Sequence, residues 1–224
     1  WNSNGELVNR DSPYFPLRNA LFDLPPYRGT WPPIWIAAHG PRMLRAVGRY
    51  ADGFYPAAPH RPQDDAQRLD TGRAAASDAG RDPMSIVPAM WMGVVTGRSA
   101  AEVDQALESE MIKAWALNAT GEFFSQRDAQ HPLGDGFGGG QDILPHDWDE
   151  QTALSHIKGI STGLLRDTLL AGTPEEVIDQ VAAWRDGGVR YIVLANLSPM
   201  QRSLRSGLAA AVPFYKIVRG IKKL

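Results

Sequence analysis

The 224-residue chain contains no cysteine, which excludes disulfide bonds, thiolate metal ligands and a cysteine nucleophile. It has no apolar run of the ~18–20 residues that a membrane span requires, and residues 1–5 resemble no secretory signal. Neither sign of charge is in excess, because 23 Lys and Arg face 25 Asp and Glu, for a formal charge of -2. Such a balance indicates no basic surface for nucleic acid or an anionic membrane. We therefore expect a cytoplasmic protein with neither of these partners.

Apolar residues are abundant enough for a large core, at 43% of the chain, and 22 Gly and 17 Pro punctuate the sequence. Short apolar runs typical of buried strands alternate with segments of helical period. The predicted strands are residues 33–38, 52–56, 86–96 and 189–195. The predicted helices are residues 41–51, 62–79, 99–118 and 173–186, with a last helix after 196. This order predicts an α/β fold with parallel crossovers, either an open doubly wound sheet or part of a (β/α)8 barrel.

Two segments depart from this alternation. Residues 1–30 carry several prolines and no sustained period, and they predict an irregular lead-in with one short strand. Residues 119–168 contain a glycine-rich run at 134–140, and they predict an insertion with a mobile loop. The insertion is expected to act as a lid or apolar groove, or else to pack on the surface. Its histidines match no compact metal motif, so no metal site is expected.

The strongest local candidate for ligand binding is a tight turn into a helix. It comprises Ala38, His39, Gly40, Pro41, Arg42 and Met43. A helix that starts here directs free backbone N–H groups and a positive dipole outward, which suits a phosphate. Pro41 lacks one donor, while Arg42 can add charge. His39 either contacts a ligand or supports the turn, and a Gly-Pro turn alone remains compatible with a plain turn.

Three further residues are candidates for substrate contact, because ligands collect at the carboxyl ends of parallel strands. They are Tyr55, Trp91 and Asn196. Trp91 is equally compatible with a core position. Asn196 either bonds a substrate carbonyl or caps the final helix.

Residues 33–44 and 48–54, with 172–177 and 186–189, resemble the bacterial luciferase-like family. The resemblance implies a single, partial (β/α)8 barrel over residues 1–224, supplying about strands 5 to 8 with the insertion before the last strand. Because the chain starts at Trp1 and not Met, we expect an incomplete enzyme whose catalytic residues lie largely in the absent strands. A homodimer is also compatible with the family.

The family resemblance further implies an oxidoreductase in which coenzyme F420 delivers a hydride to a ketone, a long lipid being one possible substrate. Residues 38–43 would then lie along the phosphate-bearing tail of the cofactor. Relatives that oxidise glucose 6-phosphate carry Thr-Ser-Gly-Lys where this chain has residues 57–60, Ala-Ala-Pro-His, which argues against a sugar phosphate. An FMN-dependent monooxygenase and a non-catalytic fragment or interaction module are the alternatives.

Overall fold

The computed structural model describes residues 5–56 and 61–224, which form two compact units, Trp1–Ile34 and Trp35–Leu224. In the first unit, strand β1 (Val8–Arg10) pairs antiparallel with strand β2 (Leu17–Ala20). The sequence pattern predicts one strand here and the structure has two. The second strand is missed because Leu-Arg-Asn-Ala is largely exposed and shows no apolar alternation.

The second unit alternates strands and helices as predicted. Its strands are β3 (Trp35–Ile36), β4 (Gly53–Phe54), β5 (Val87–Thr96), β6 (Leu170–Gly172) and β7 (Tyr191–Asn196). Its helices before the insertion are α1 (Pro41–Tyr50), α2 (Pro62–Asp78), α3 (Ala100–Leu107) and α4 (Glu110–Lys113). Those from the insertion onward are α5 (Gly121–Ser125), α6 (Glu150–Ile157), α7 (Thr162–Arg166), α8 (Pro174–Asp186), α9 (Leu204–Ala209) and α10 (Ala211–Ile221).

All five strands of this unit are joined by parallel pairs, which confirms the predicted parallel sheet. Strand β5 is the longest and organises the others: β4 pairs with its first residues, β7 with its middle and β6 with its last three. Strand β6 has only three residues, which is too short for a period to be recognised in the sequence. Within the described residues, β3 pairs only with β4, and β7 pairs only with β5.

Three apolar clusters hold the second unit together. One joins β5 to α8 and α10, through Met90, Met92, Val94, Val177, Val181 and Ile217. A second joins the end of β5 to the insertion, through Val95, Leu107, Leu117, Phe124, Ile157 and Leu165. The third joins α1 to α2, through Leu44, Val47, Leu69 and Ala76. Much of the insertion therefore belongs to the core.

Helix α1 matches its predicted bounds to within a residue, but its buried face differs from the prediction. The period places Met43 and Tyr50 on the apolar face, whereas both are exposed, at 47% and 65%. Gly48 is buried in their place, because α1 and α2 cross closely. A Cβ at Gly48 would lie 2.5 Å from the carbonyl oxygen of Gly72, so only glycine fits this crossing.

The helix predicted from residue 99 to 118 is interrupted. Ser99 caps α3, accepting a hydrogen bond from the Glu102 amide. The chain then turns at Ser109, whose hydroxyl donates to the Met200 carbonyl oxygen at 2.8 Å. The stretch continues as α4 and a 3-10 helix, Ala114–Asn118. Among the described residues, no helix is both long and apolar enough to cross a bilayer.

Candidate functional site

The turn between β3 and α1 has open backbone donors. Gly40 is the N-cap of α1 in an extended conformation, and its carbonyl oxygen accepts from the Leu44 amide at 3.0 Å. No side chain caps this end, so the amides of Arg42 and Met43 lack an acceptor within the helix. A Cβ built on Gly40 meets no atom within 4 Å. The start of the helix is therefore accessible to a ligand.

The remaining residues of the turn divide by exposure. Ala38 is buried, at 2%, and packs in the α1–α2 cluster, where it anchors the turn. His39, Pro41, Arg42 and Met43 are exposed. Within the described parts of the chain, Arg42 makes no ion pair, which leaves its positive charge available beside the amides. The turn thus combines backbone donors, the positive end of a ten-residue helix and one cation.

A groove of about 620 Å³ adjoins this turn. His39 and Gly40 line it, whereas Arg42 and Met43 lie outside it. One wall is a polar face of α2, formed by Asp64, Gln67, Arg68 and Thr71. The opposite wall comes from the insertion, through Asn118, Thr120, Glu122, Gln126 and residues 138–141. The glycine-rich loop and the turn therefore face a common space.

Arg68 is a residue of this groove that the sequence analysis does not single out. Its Nη1 atom is buried and has no hydrogen-bond partner among the described residues. A buried guanidinium nitrogen without a hydrogen-bond partner destabilises the fold, and an anionic group would supply the missing acceptor. Residues 64, 67, 68 and 71 do lie on one polar face of α2, but such a pattern by itself is typical of a solvent-exposed helix surface.

The wall made by the insertion is held by specific contacts. The Gly121 amide donates to the Phe137 carbonyl oxygen at 2.9 Å, and the Phe137 ring stacks on His131 at 4.4 Å. Gly139 turns the chain with a φ of 110°, a conformation that favours glycine. Burial lowers the pKa of His131 from its ordinary 6.5, and a backbone interaction with Leu117 opposes this shift. The imidazole is therefore neutral at pH 7.

The histidines of the insertion do not converge on a metal site. His131 lies between two phenylalanine rings, His146 contacts Asp147, and His156 packs against Trp148. In residues 5–56 and 61–224, no group of three His, Asp or Glu side chains is placed to hold a metal ion.

The three substrate candidates do not line the groove, and only Trp91 lies away from the end of its strand. Trp91 is in the middle of β5, paired with Val193, and not near the strand end; its ring packs against Trp115 at 5.1 Å. Asn196 does end β7, but its Oδ1 accepts from the Ser198 amide at 3.1 Å. It therefore shapes a local turn and does not cap the last helical segment, which begins after Ser203.

Tyr55 follows β4 and is half-buried. Its ring makes an edge contact with Trp35 at 5.8 Å between centroids. Burial, with a smaller contribution from Tyr191, raises the pKa of its phenol above the ordinary value of 10.0. Tyr55 is therefore a hydrogen-bond donor at neutral pH. Residues 57–60, on which the argument against a sugar phosphate rests, lie outside the described residues.

Comparison with known proteins gives strong matches. The chain is 62% identical over all 224 residues to a phthiodiolone/phenolphthiodiolone dimycocerosates ketoreductase of Mycobacterium sp. (strain JLS). Over 84 residues it is 37% identical to an F420-dependent hydroxymycolic acid dehydrogenase of Mycobacterium tuberculosis. The chain spans 59% of the length of the first of these relatives.

Among solved structures, an F420-dependent secondary alcohol dehydrogenase in complex with an F420-acetone adduct superposes with a TM-score of 0.66. That match is 17% identical and covers 99% of this chain and 57% of the other, so it shows a common fold. A sequence model of the luciferase-like monooxygenases matches residues 1–191, which is most of the chain. The chain belongs to the luciferase-like monooxygenase family.

Proposed function

We propose that this chain forms the cofactor-binding part of an F420-dependent oxidoreductase that reduces a ketone. The observation that carries the proposal is the open helix start at Gly40, with its uncapped amides and the neighbouring Arg42. F420 carries a phosphate, and uncapped amides at a helix start suit that group. The orphaned Nη1 of Arg68 in the adjoining groove also favours an anionic ligand.

Each residue of the turn has a distinct part in this proposal. The amides of Gly40, Arg42 and Met43 donate to the phosphate, and the Arg42 guanidinium adds a charge-assisted contact. Pro41 fixes the first helical residue without supplying a competing donor. Buried Ala38 holds the turn against the α1–α2 cluster, and His39 closes the side that faces the groove.

We further propose that the chain supplies strands 5 to 8 of a (β/α)8 barrel, corresponding to β3, β4, β5 and β7. Two features support this: the described part of the sheet has a free edge at both β3 and β7, and aromatic residues on these strands are exposed. Trp35 is 37% exposed and Tyr191 52%, although each is a large apolar side chain within a strand. Further strands would cover both.

When bound, reduced F420 supplies a hydride, and a ketone is the matching acceptor. Tyr55 keeps its proton at neutral pH, so we propose that it donates a hydrogen bond to the substrate carbonyl. Trp91 would lie on the same side of the sheet as Tyr55, whereas Asn196, in register with Val94, belongs to the opposite face. The insertion at 119–168 would cover the ligand and exclude water. The name of the ketoreductase from Mycobacterium sp. (strain JLS) points to a lipid ketone as substrate.

Paired titrations of F420 and FMN on the natural full-length protein test this proposal. We expect the protein to bind F420 more tightly than FMN. Arg42→Ala should weaken the affinity for F420 by roughly tenfold, which corresponds to one charge-assisted hydrogen bond. Arg45→Ala, on the same helix, is the matched control and should leave the affinity unchanged. Preference for FMN would favour a flavin monooxygenase. Binding of neither cofactor would favour a non-catalytic module.

A further inference from the structure

The turn of the β1–β2 hairpin presents two aromatic side chains to solvent. Tyr14 is 81% exposed and Phe15 is 82% exposed, and both lie in the segment that joins the two strands. A large ring that stays in water forgoes the free energy of burial, so two such rings at one point of the surface indicate a site of contact. We call residues 12–16, Ser-Pro-Tyr-Phe-Pro, the hairpin tip.

The backbone of the hairpin tip has no unpaired N–H group from residue 13 to residue 16. Pro13 and Pro16 have no amide hydrogen. The amides of Tyr14 and Phe15 both donate to the hydroxyl oxygen of Ser12, at 3.3 Å and 3.2 Å. An unpaired N–H group resists transfer from water to an apolar medium. The hairpin tip can therefore enter such a medium at a reduced backbone cost.

Charged side chains lie next to the hairpin tip, where the two strands end. The Arg18 guanidinium pairs with the Asp11 carboxylate at 2.7 Å and donates to the Arg10 carbonyl oxygen at 3.2 Å. All three residues are exposed. The hairpin thus carries aromatic rings at its end and side chains of both charges behind them. This order matches a lipid surface, where rings lie at the edge of the apolar layer and headgroups carry charges of both signs.

The size of the hairpin tip favours lipid over a protein partner. Its two rings together offer about 300–500 Å² of surface. A stable protein interface buries about 800 Å² on each partner, whereas insertion into lipid requires no complementary surface. The balanced charge of the chain indicates no basic surface for anionic lipid, and insertion of neutral rings requires none.

We propose that the hairpin tip inserts into the surface of a lipid bilayer with zwitterionic headgroups. The inference uses neither the cofactor nor the ketone, so it is independent of the proposed function.

Flotation with phosphatidylcholine vesicles tests the inference on the natural full-length protein. We expect weak, reversible binding at roughly millimolar lipid, because two rings contribute less than a myristoyl chain, which by itself gives only marginal binding. High salt should leave this binding unchanged, since the insertion of neutral rings is not screened. Protein that stays unbound at this lipid concentration would overturn the proposal. Release by salt would indicate a charged contact in place of insertion and would also overturn it.

Substitutions of the rings assign the binding to the hairpin tip. Tyr14→Ser and Phe15→Ser should each weaken vesicle binding by about tenfold, the contribution of one ring. Tyr14→Trp should retain it, because an indole also suits the lipid interface. Tyr27→Ser is the matched control, since Tyr27 is 77% exposed but lies outside the hairpin, and binding should be unchanged. An equal loss in the control and the tip variants would overturn the assignment.

Substitution of Ser12 tests the paired backbone separately from the rings. Ser12→Ala keeps both rings but removes the acceptor of two amides, so vesicle binding should weaken by about tenfold or more. Ser12→Thr keeps the hydroxyl and should bind as the wild type does. Wild-type binding by Ser12→Ala would show that the tip backbone stays in water and would overturn insertion. A wild-type protein that binds no vesicles, with a lower Tm for Tyr14→Ser, would show that the hairpin tip packs against protein and would overturn the lipid assignment.

Discussion

Replacement of Gly48 by alanine is a stringent test of the crossing that positions both α1, which carries the turn, and α2, which carries Arg68. The added Cβ would lie 2.5 Å from the carbonyl oxygen of Gly72 and 2.6 Å from the Ala76 amide nitrogen. Both atoms are backbone, so the helices must separate. Overpacking costs about 1–3 kcal/mol, and because backbone atoms cannot move aside on their own, the upper part of that range, about 2–3 kcal/mol, applies here. Alanine returns about 1 kcal/mol of helix propensity, which leaves a net loss of roughly 1–2 kcal/mol.

Thermal unfolding followed by circular dichroism measures this loss. A protein of this size loses ~2–4 °C per kcal/mol, so Gly48→Ala should lower the Tm by about 2–8 °C. Gly163→Ala is the matched control, since Gly163 lies in α7 and an added Cβ approaches no atom closer than 3.9 Å. The control should be neutral or stabilising. An unchanged or higher Tm for Gly48→Ala would refute the close crossing.

Three further predictions follow from particular contacts. Arg81→Gln removes the hydrogen bonds that Arg81 donates to the carbonyl oxygens of Gly48 (2.7 Å) and Ala51 (2.8 Å) at the end of α1. Urea unfolding should show that the free energy of unfolding falls by about 2–4 kcal/mol, the contribution of two such contacts. A decrease below about 0.5 kcal/mol would contradict this role of Arg81. Because the folded-state pKa of His131 is lowered, stability is complete above its ordinary pKa of 6.5 and falls as the pH drops below that value. Urea unfolding from pH 7 to 5 should therefore show a flatter pH dependence in His131→Phe, and an identical slope would exclude the buried imidazole as its source. Tyr55→Phe should reduce ketone turnover while leaving F420 affinity unchanged, and unaltered turnover would remove Tyr55 from the substrate side.

Local signals in the sequence account for much of the second unit. The Thr173–Glu176 capping box predicts the start of α8. In the structure the Glu176 carboxylate accepts from the Thr173 amide at 2.8 Å and from the Thr173 hydroxyl at 3.1 Å, with Pro174 in the first turn. Strand β5 and helix α2 match their predicted bounds to within one residue. Strand β6 and the break at Ser109 are missed because they depend on contacts with residues distant in sequence.

Part of the candidate site can likewise be predicted from the sequence, and part becomes apparent only in the structure. The turn at Gly40 is visible in the sequence, because the glycine, the proline and the helix start are consecutive. Arg68 becomes a candidate only when folding places α2 beside the turn and buries its Nη1. The contacts that Trp91 and Asn196 make in the fold likewise involve neighbours, Trp115 and the Ser198 amide, which no spacing rule identifies.

Amide hydrogen exchange on the natural full-length protein, with and without saturating F420, tests the central claim most directly. The phosphate should accept hydrogen bonds from the Arg42 and Met43 amides, which lack an acceptor within the helix. We predict that exchange in the peptide spanning residues 38–44 slows markedly when F420 binds, and that Arg42→Ala weakens this protection. F420 binding with unchanged exchange in that peptide would contradict the assignment of the turn as the phosphate site.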